Sequence, residues 1–288
     1  MATALRAGEL TGAAPEPARL RDLLAERGVV CIRLDRALSD DELQALAARV
    51  GPIKDPVGRA KDGTMLRYSE RRQVIDSGFV MTPELLEELG GGSLGGDALR
   101  PGLFEFFHTD DSYTERPASA TVLHARELPE SGGGATSFID MRAAHGLLPA
   151  ATRDRLVGLF AAYAYNNHDA FPPRASAAGP LEALVEVAHP VVRAHPVTGT
   201  PALYFDLDRA THVEGMPVDE GRALLQSLQD HADQHAPRYV HEWHPHDVLV
   251  WDNASVQHKA GGDFPVGEAR RFWRYMIEGP VPRAYAMP

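Results

Sequence analysis

The sequence predicts a mostly β protein with helical elaborations. Many short runs rich in Val, Ile, Phe, Tyr and Trp are separated by turn residues, only a few helical periodicities interrupt them, and no linker or internal repeat divides the chain. A chain of 288 residues can be one large unit when it is β-rich. We therefore expect a single domain over 1–288, with a helical part at 17–51, an irregular, lid-like insert at 54–100 and the β core at about 101–280.

The elements follow in order. Pro17 to Gly28 predicts a short helix in which Leu20, Leu23 and Leu24 share a face and Gly28 ends the turn. Val29 to Leu34 is apolar enough for a buried strand, with Cys31 as an inert core residue. Ser39-Asp40-Asp41-Glu42 reads as a capping box, because a Ser hydroxyl and a Glu carboxylate three residues apart satisfy the free amides of a helix start. Leu43, Leu46, Ala47 and Val50 then form one apolar face, and Gly51 stops the helix. Lys54 to Arg72 is basic and irregular, and Gly90 to Gly96 is a flexible loop, either a lid or, as is more common, a plain surface loop.

Ala118 to Ala125 alternates as a strand, and Glu130 to Gly134 turns into a second one, Ala135 to Ile139. That glycine run is not a phosphate loop, since no Gly-Lys-Ser/Thr follows it. Asp140 opens a short helix through Leu148, and Asn166 to Pro180 is an Ala- and Pro-rich excursion. Val191 to Arg193 and Pro201 to Phe205 are strands around the turn Thr198-Gly199, and Asp219 to Gln234 is an amphipathic helix with Leu224, Leu225, Leu228 and Ala232 on one side. Tyr239 to Trp243 and Val248 to Trp251 are strands broken by Pro245, and Arg270 to Ile277 is the last, with Arg270, Phe272 and Arg274 on one face.

The composition narrows the function. Hydrophobic residues at 44% and charged residues at 24% are those of an ordinary soluble protein. A net charge of -11 opposes general affinity for nucleic acid or anionic membrane, so an anionic ligand needs a local basic pocket. One cysteine excludes an internal disulfide and a cysteine-based zinc site, and fits a reducing cytoplasm. No signal core precedes Glu16, and no apolar run reaches membrane-spanning length.

The chemistry centres on His108-Thr109-Asp110 within Phe104 to Tyr113. Read as a strand, residues two apart project from one face, so the imidazole and the carboxylate can close on one metal ion. His258, beyond Val248 to Trp251 and the turn-like Asp252-Asn253, is the best third ligand. Two His and one carboxylate on one face of a metal is the arrangement of non-heme Fe(II) oxygenases. Two competing His-x-acid triplets exist. His231-Ala232-Asp233 lies in a helical pattern, where positions two apart diverge, and His212-Val213-Glu214 lies in an expected loop.

Once the triplet, Trp251-Asp252-Asn253 with His258, and the pair Arg270 and Arg274 are aligned, the chain resembles the TauD/TfdA family of Fe(II)- and 2-oxoglutarate-dependent dioxygenases from the Ser39 helix to Ile277. Phe138 to Ala144 and His212 to Arg222 are most similar to its 2,4-dichlorophenoxyacetate dioxygenase branch. The resemblance implies a distorted jelly-roll (double-stranded β-helix) core, with His108, Asp110 and His258 as iron ligands. It further implies that Arg270 and Thr136 hold the distal carboxylate of 2-oxoglutarate, for which a planar guanidinium is suited, while Arg274 reaches the substrate or the other end of the keto acid. Ala135 stands where the family usually has an acidic residue. The gap from His258 to Arg270 is slightly longer than usual, which leaves Arg271 as an alternative, although alternation with Arg274 favours Arg270.

The implied cofactor is Fe(II), with 2-oxoglutarate and O2 as co-substrates and succinate and CO2 as products. Asp110 stands where related halogenases carry a small residue, so oxygenation is expected. Lys54, Lys61, Arg67 and Arg274, facing Phe104, Phe106, Phe107 and Tyr113, suggest a small carboxylate with a hydrophobic body. Aryloxyacetates fit that description, and an alkylsulfonate is the alternative anion for a catabolic enzyme. Biosynthetic acids from a GC-rich genome, to be hydroxylated, desaturated, epoxidised or ring-expanded, fit it as well. A zinc hydrolase with the same ligands and a non-catalytic metal-binding protein are the readings of other classes. Neither nucleic acid nor membrane is an expected partner, and a homo-oligomer is compatible with the sequence.

Overall fold

The computed structural model describes residues 8–11, 16–55, 57–59, 65–67, 75–80, 106–164, 186–261 and 263–286. In chain order β1 (Gly8–Thr11), α1 (Pro17–Arg27), β2 (Val29–Arg33) and α2 (Asp40–Val50) precede β3 (Val57–Arg59), β4 (Met65–Arg67) and β5 (Ile75–Val80). The middle holds β6 (Ala120–Glu127), β7 (Thr136–Asp140), α3 (Met141–Leu147), α4 (Ala150–Leu156), β8 (Phe160–Tyr163), β9 (Val187–Pro190), β10 (Val192–Ala194), β11 (Pro201–Leu203) and β12 (Ala210–Val213). The last part is α5 (Val218–His235), β13 (Arg238–His241), β14 (Val248–Asp252), β15 (Val256–Ala260) and β16 (Ala269–Ile277).

Local chemistry accounts for the helix ends. Gly28 takes φ 75° and returns its amide to Leu24 O, closing α1. Ser39 and Glu42 form both halves of the capping box of α2, and the Asp140 carboxylate accepts from the amides of Arg142 and Ala143 at the start of α3.

The largest sheet has the strand order β1-β2-β14-β6-β16-β5. β1 runs parallel to β2, while the β2-β14-β6-β16-β5 pairings are antiparallel. A three-stranded antiparallel sheet, β13-β7-β15, packs against it through Phe138 and Val256, and β12-β8-β9 and β10-β11 form two further antiparallel sheets. Alternation along β14 divides the apolar residues between two layers. Val248 and Val250 pack outward with Leu20, Leu24, Leu43 and Leu46 of the first two helices, and Leu249 and Trp251 pack inward with Cys31, Phe138, Val256 and Phe272. Each such side chain contributes roughly 1.5–3 kcal/mol when fully buried. A third cluster joins α3 and α5 to β8 and β10–β12 through Met141, Tyr163, Leu203, Val213, Leu225 and Leu228.

Several expectations need correction. The triplet at 108–110 is not a strand: His108 makes a single bridge to His258, and a turn with Asp111 at φ 58° follows. The interval from Lys54 to Arg72, expected to be irregular, contains the β3-β4 hairpin. His212 lies in β12, not in a loop. Strands β8 and β9 were not expected, because Phe160–Tyr163 and Val187–Pro190 are too short for a clear alternation. The Gly90 to Gly96 loop, the Asn166 to Pro180 excursion, Phe104 and Lys61 lie outside the described residues, as does the side chain of Arg67.

Candidate active site

The chain reverses from β14 to β15 within Asn253-Ala254-Ser255, and this reversal carries it from the large sheet to the small one. The Asp252 carboxylate accepts from the Ala254 amide and the Ser255 hydroxyl, and His195 donates to it from Nε2 at 2.5 Å while its Nδ1 accepts from the amides of Val197 and Thr198. With the reversal fixed, His258 is delivered beside His108. The two exchange both backbone hydrogen bonds (3.0 and 2.9 Å), and their rings lie 4.3 Å apart.

His108, Asp110 and His258 offer ligand atoms within 4.8 Å of one another, and Asp110 Oδ1 stands 3.9 Å from His258 Nε2. His108 donates from Nδ1 to Phe106 O at 3.2 Å, which leaves its Nε2 lone pair available. Burial, reinforced by electrostatic interaction with His108, takes His258 down to about 3, so its ring is neutral and able to ligate. Burial opposes ionisation of Asp110, but electrostatic interaction with His258, Arg274 and His108, with the Thr121 hydroxyl as donor, outweighs it and holds the carboxyl at about 2. Two neutral-capable imidazoles and an ionised carboxylate fit a divalent metal such as iron(II).

Arg270 is buried on the inner face of β16. Its Nε donates to Gly134 O at 2.8 Å and its Nη2 to Thr136 Oγ1 at 3.1 Å, two of its five N–H donors. Burial lowers it to about 10, partly offset by Asp263, so it stays cationic. Arg271 points the other way, half exposed and paired with Glu127. The Thr136 hydroxyl also accepts from Trp243 Nε1 at 3.0 Å; with both lone pairs engaged, its one proton is left to donate. Gly134 makes this possible: it has φ 66°, and a Cβ there would lie 2.9 Å from Arg270 Cδ.

Arg274 Nη1 lies 3.7 Å from Asp110 Oδ1, its side chain is 29% exposed, and its buried Nε has no hydrogen-bond partner among the described residues. Lys54 is a different case from the free cation expected: its ammonium is met by Asp111 (2.7 Å), the Thr114 hydroxyl (3.1 Å) and Arg116 O (2.8 Å). Phe107 packs in the core under Lys259 and Arg238, so it does not line an open pocket. Phe106 is half-buried, and Tyr113 donates to Asp111. Sequence reasoning assigned no role to Thr121, Asn253 or Trp243; Asn253 entered only through the turn signal at Asp252-Asn253 and the Trp251-Asp252-Asn253 motif.

A second group, Cys31, His241 and Asp247, also brings three ligand atoms within 4.8 Å. Arg33 holds both Asp247 oxygens (3.1 and 3.4 Å), and the His244 amide and His241 share Oδ2. These groups outweigh burial and take Asp247 down to about 2, so a carboxylate already matched by a guanidinium braces β2 against β13.

The family described as "Taurine catabolism dioxygenase TauD, TfdA family" matches residues 8–276. The alpha-ketoglutarate-dependent 2,4-dichlorophenoxyacetate dioxygenase of Cupriavidus pinatubonensis is 31% identical over 85% of this chain and 82% of its own. Pentalenolactone F synthase of Streptomyces arenae is 28% identical over 53% of this chain and 54% of its own. The crystal structure of AAD-2 in complex with Mn(II) and N-oxalylglycine superposes with a TM-score of 0.70 at 22% identity, covering 100% of this chain and 98% of that one. The chain therefore belongs to the TauD/TfdA family and is a 2-oxoglutarate-dependent non-heme iron dioxygenase.

Proposed function

We propose that the enzyme oxidises a small hydrophobic carboxylate on a jelly-roll core, with His108, Asp110 and His258 holding iron(II) and Arg270 and Thr136 holding the distal carboxylate of 2-oxoglutarate. The bound iron supplies oxidation by O2, coupled to conversion of 2-oxoglutarate to succinate and CO2. The protein's own task is geometric: it holds one C–H bond of the substrate near the metal and keeps solvent away.

The observation that carries the substrate reading is Arg274. A partly exposed cation beside a metal ligand, whose buried Nε has no partner among the described residues, favours an anionic substrate group at that point. Lys54, already matched by Asp111, does not serve this purpose. The similarity to pentalenolactone F synthase supports a biosynthetic acid; that to the 2,4-dichlorophenoxyacetate enzyme keeps a catabolic aryloxyacetate as the second reading. Hydroxylation, desaturation, epoxidation and ring expansion all use the same site.

The test is succinate release from a panel of aryloxyacetic and terpenoid acids with Fe(II), 2-oxoglutarate and O2 present or singly omitted. Turnover of an acid only in the complete mixture supports the reading. Equal turnover of uncharged analogues removes it.

A further inference from the structure

The two carboxylate oxygens of Asp110 have different surroundings. Oδ1 lies toward His258 and Arg274; Oδ2 accepts the Thr121 hydroxyl at 2.5 Å on the opposite side. Thr121 sits on β6 directly across from Trp251 of β14, and its own oxygen accepts from Asn253 Nδ2 at 3.0 Å. The Asn253 oxygen in turn accepts the Trp251 indole N–H at 3.0 Å. Thr121, Asp110, Trp251 and Asn253 are all buried.

The direction of this chain follows from donor chemistry alone. An indole N–H can only donate, so it fixes which end of the Asn253 amide is oxygen. The amide nitrogen is thereby turned to Thr121 and donates to its oxygen, and the threonine proton is left to point at Asp110. Each group is placed by the one before it. Two further bonds anchor the relay to the triplet: Thr109 Oγ1 donates to Asn253 O at 2.9 Å, and the Asp110 amide approaches Asn253 Oδ1 at 3.5 Å.

We infer that Trp251, Asn253 and Thr121 form a one-way hydrogen-bond relay that positions the Asp110 carboxylate, occupying Oδ2 so that Oδ1 alone is presented to the metal. The inference rests on the proposed metal site. Thr121 is a positioning residue: it touches the ligand, not the metal or substrate. Partners of this kind typically contribute ~10–100-fold in metal affinity, and the relay gives that role to residues 11 and 143 positions away from Asp110.

The experiment titrates metal-free protein with Co(II), following its visible absorption, and uses Asp110→Ala as the control. Thr121→Val keeps the shape and removes the proton. It should weaken Co(II) binding by ~10–100-fold and change the band shape, while Thr121→Ser restores both. Trp251→Phe keeps the ring against His258 but releases the amide of Asn253, and should weaken binding several-fold; it decides the matter if Thr121→Val does not fold. Absence of Co(II) binding by the wild type, or binding unaffected by Asp110→Ala, overturns the proposed metal site. With that site intact, wild-type affinity and spectrum in folded Thr121→Val, or in Trp251→Phe, overturn the relay.

Discussion

Arg270 Nη2 donates to the Thr136 hydroxyl at 3.1 Å and thereby ties β16 of the large sheet to β7 of the small one. The contact places a guanidinium and a hydroxyl proton side by side, which suits one carboxylate. Arg270→Ala should therefore raise the 2-oxoglutarate concentration needed for half-maximal turnover by at least ~30-fold, the low end of ~2–5 kcal/mol for a cut buried pair. Metal content should not change. Arg271→Ala should behave as wild type, because that side chain lies on the exposed face; a larger effect there than at Arg270 would refute the assignment.

His108→Ala and Asp110→Ala should each abolish bound iron and succinate formation. Circular dichroism should show the fold retained, since His108 sits at an isolated bridge and Asp110 in the turn after it, both outside the strands. Full turnover with unchanged iron in either variant would contradict the site.

Arg274→Ala should cost on the order of 30-fold or more in apparent affinity for an acid substrate, again from a lost charge pair. Its methyl ester should be a poor substrate for the wild type and little affected by the substitution. Equal turnover of acid and ester by the wild type would exclude a carboxylate at Arg274.

The fold should lose stability in mild acid through His124. Its Nε2 accepts from the Leu38 amide at 3.0 Å, its Nδ1 donates to Asp247 O at 3.2 Å, and burial lowers it to about 4. An unfolded histidine titrates near ~6.5, so the unfolded chain takes the proton first; this contribution is complete above ~6.5 and is lost as pH falls toward about 4. Urea unfolding at pH 7.5 and 4.5 should differ by ~2–3 kcal/mol more for wild type than for His124→Gln. An identical difference in the two proteins would rule out this histidine as the source.

What was legible in the sequence was local chemistry. The Ser39 capping box, the Gly28 stop, the Asp140 cap and the inward alternation of Arg270 and Phe272 depend on neighbours a few residues apart, and the structure has each of them. The Trp251–Asn253–Thr121 contacts were not legible, because Asn253 and Thr121 are 132 positions apart and neither residue type signals a role by itself. Lys54 was misjudged for a related reason: its partner Asp111 is 57 positions away, and only tertiary structure brings the acid that neutralises it. The triplet was misread as extended because a period of two explains how His108 and Asp110 converge, yet a bridge followed by a turn achieves the same convergence.

Gly133 and Gly134 stand at φ 86° and 66°, and an added Cβ would come within 2.3 Å of Asp263 O at the first and 2.9 Å of Arg270 Cδ at the second. Backbone geometry and crowding thus act together on two adjacent positions that carry no side chain. Any side chain at either position therefore meets both a strained backbone and an occupied space. A saturation library across the pocket can vary Arg274 and the residues around it to change what the enzyme accepts, but diversity at 133 and 134 will be spent on inactive clones.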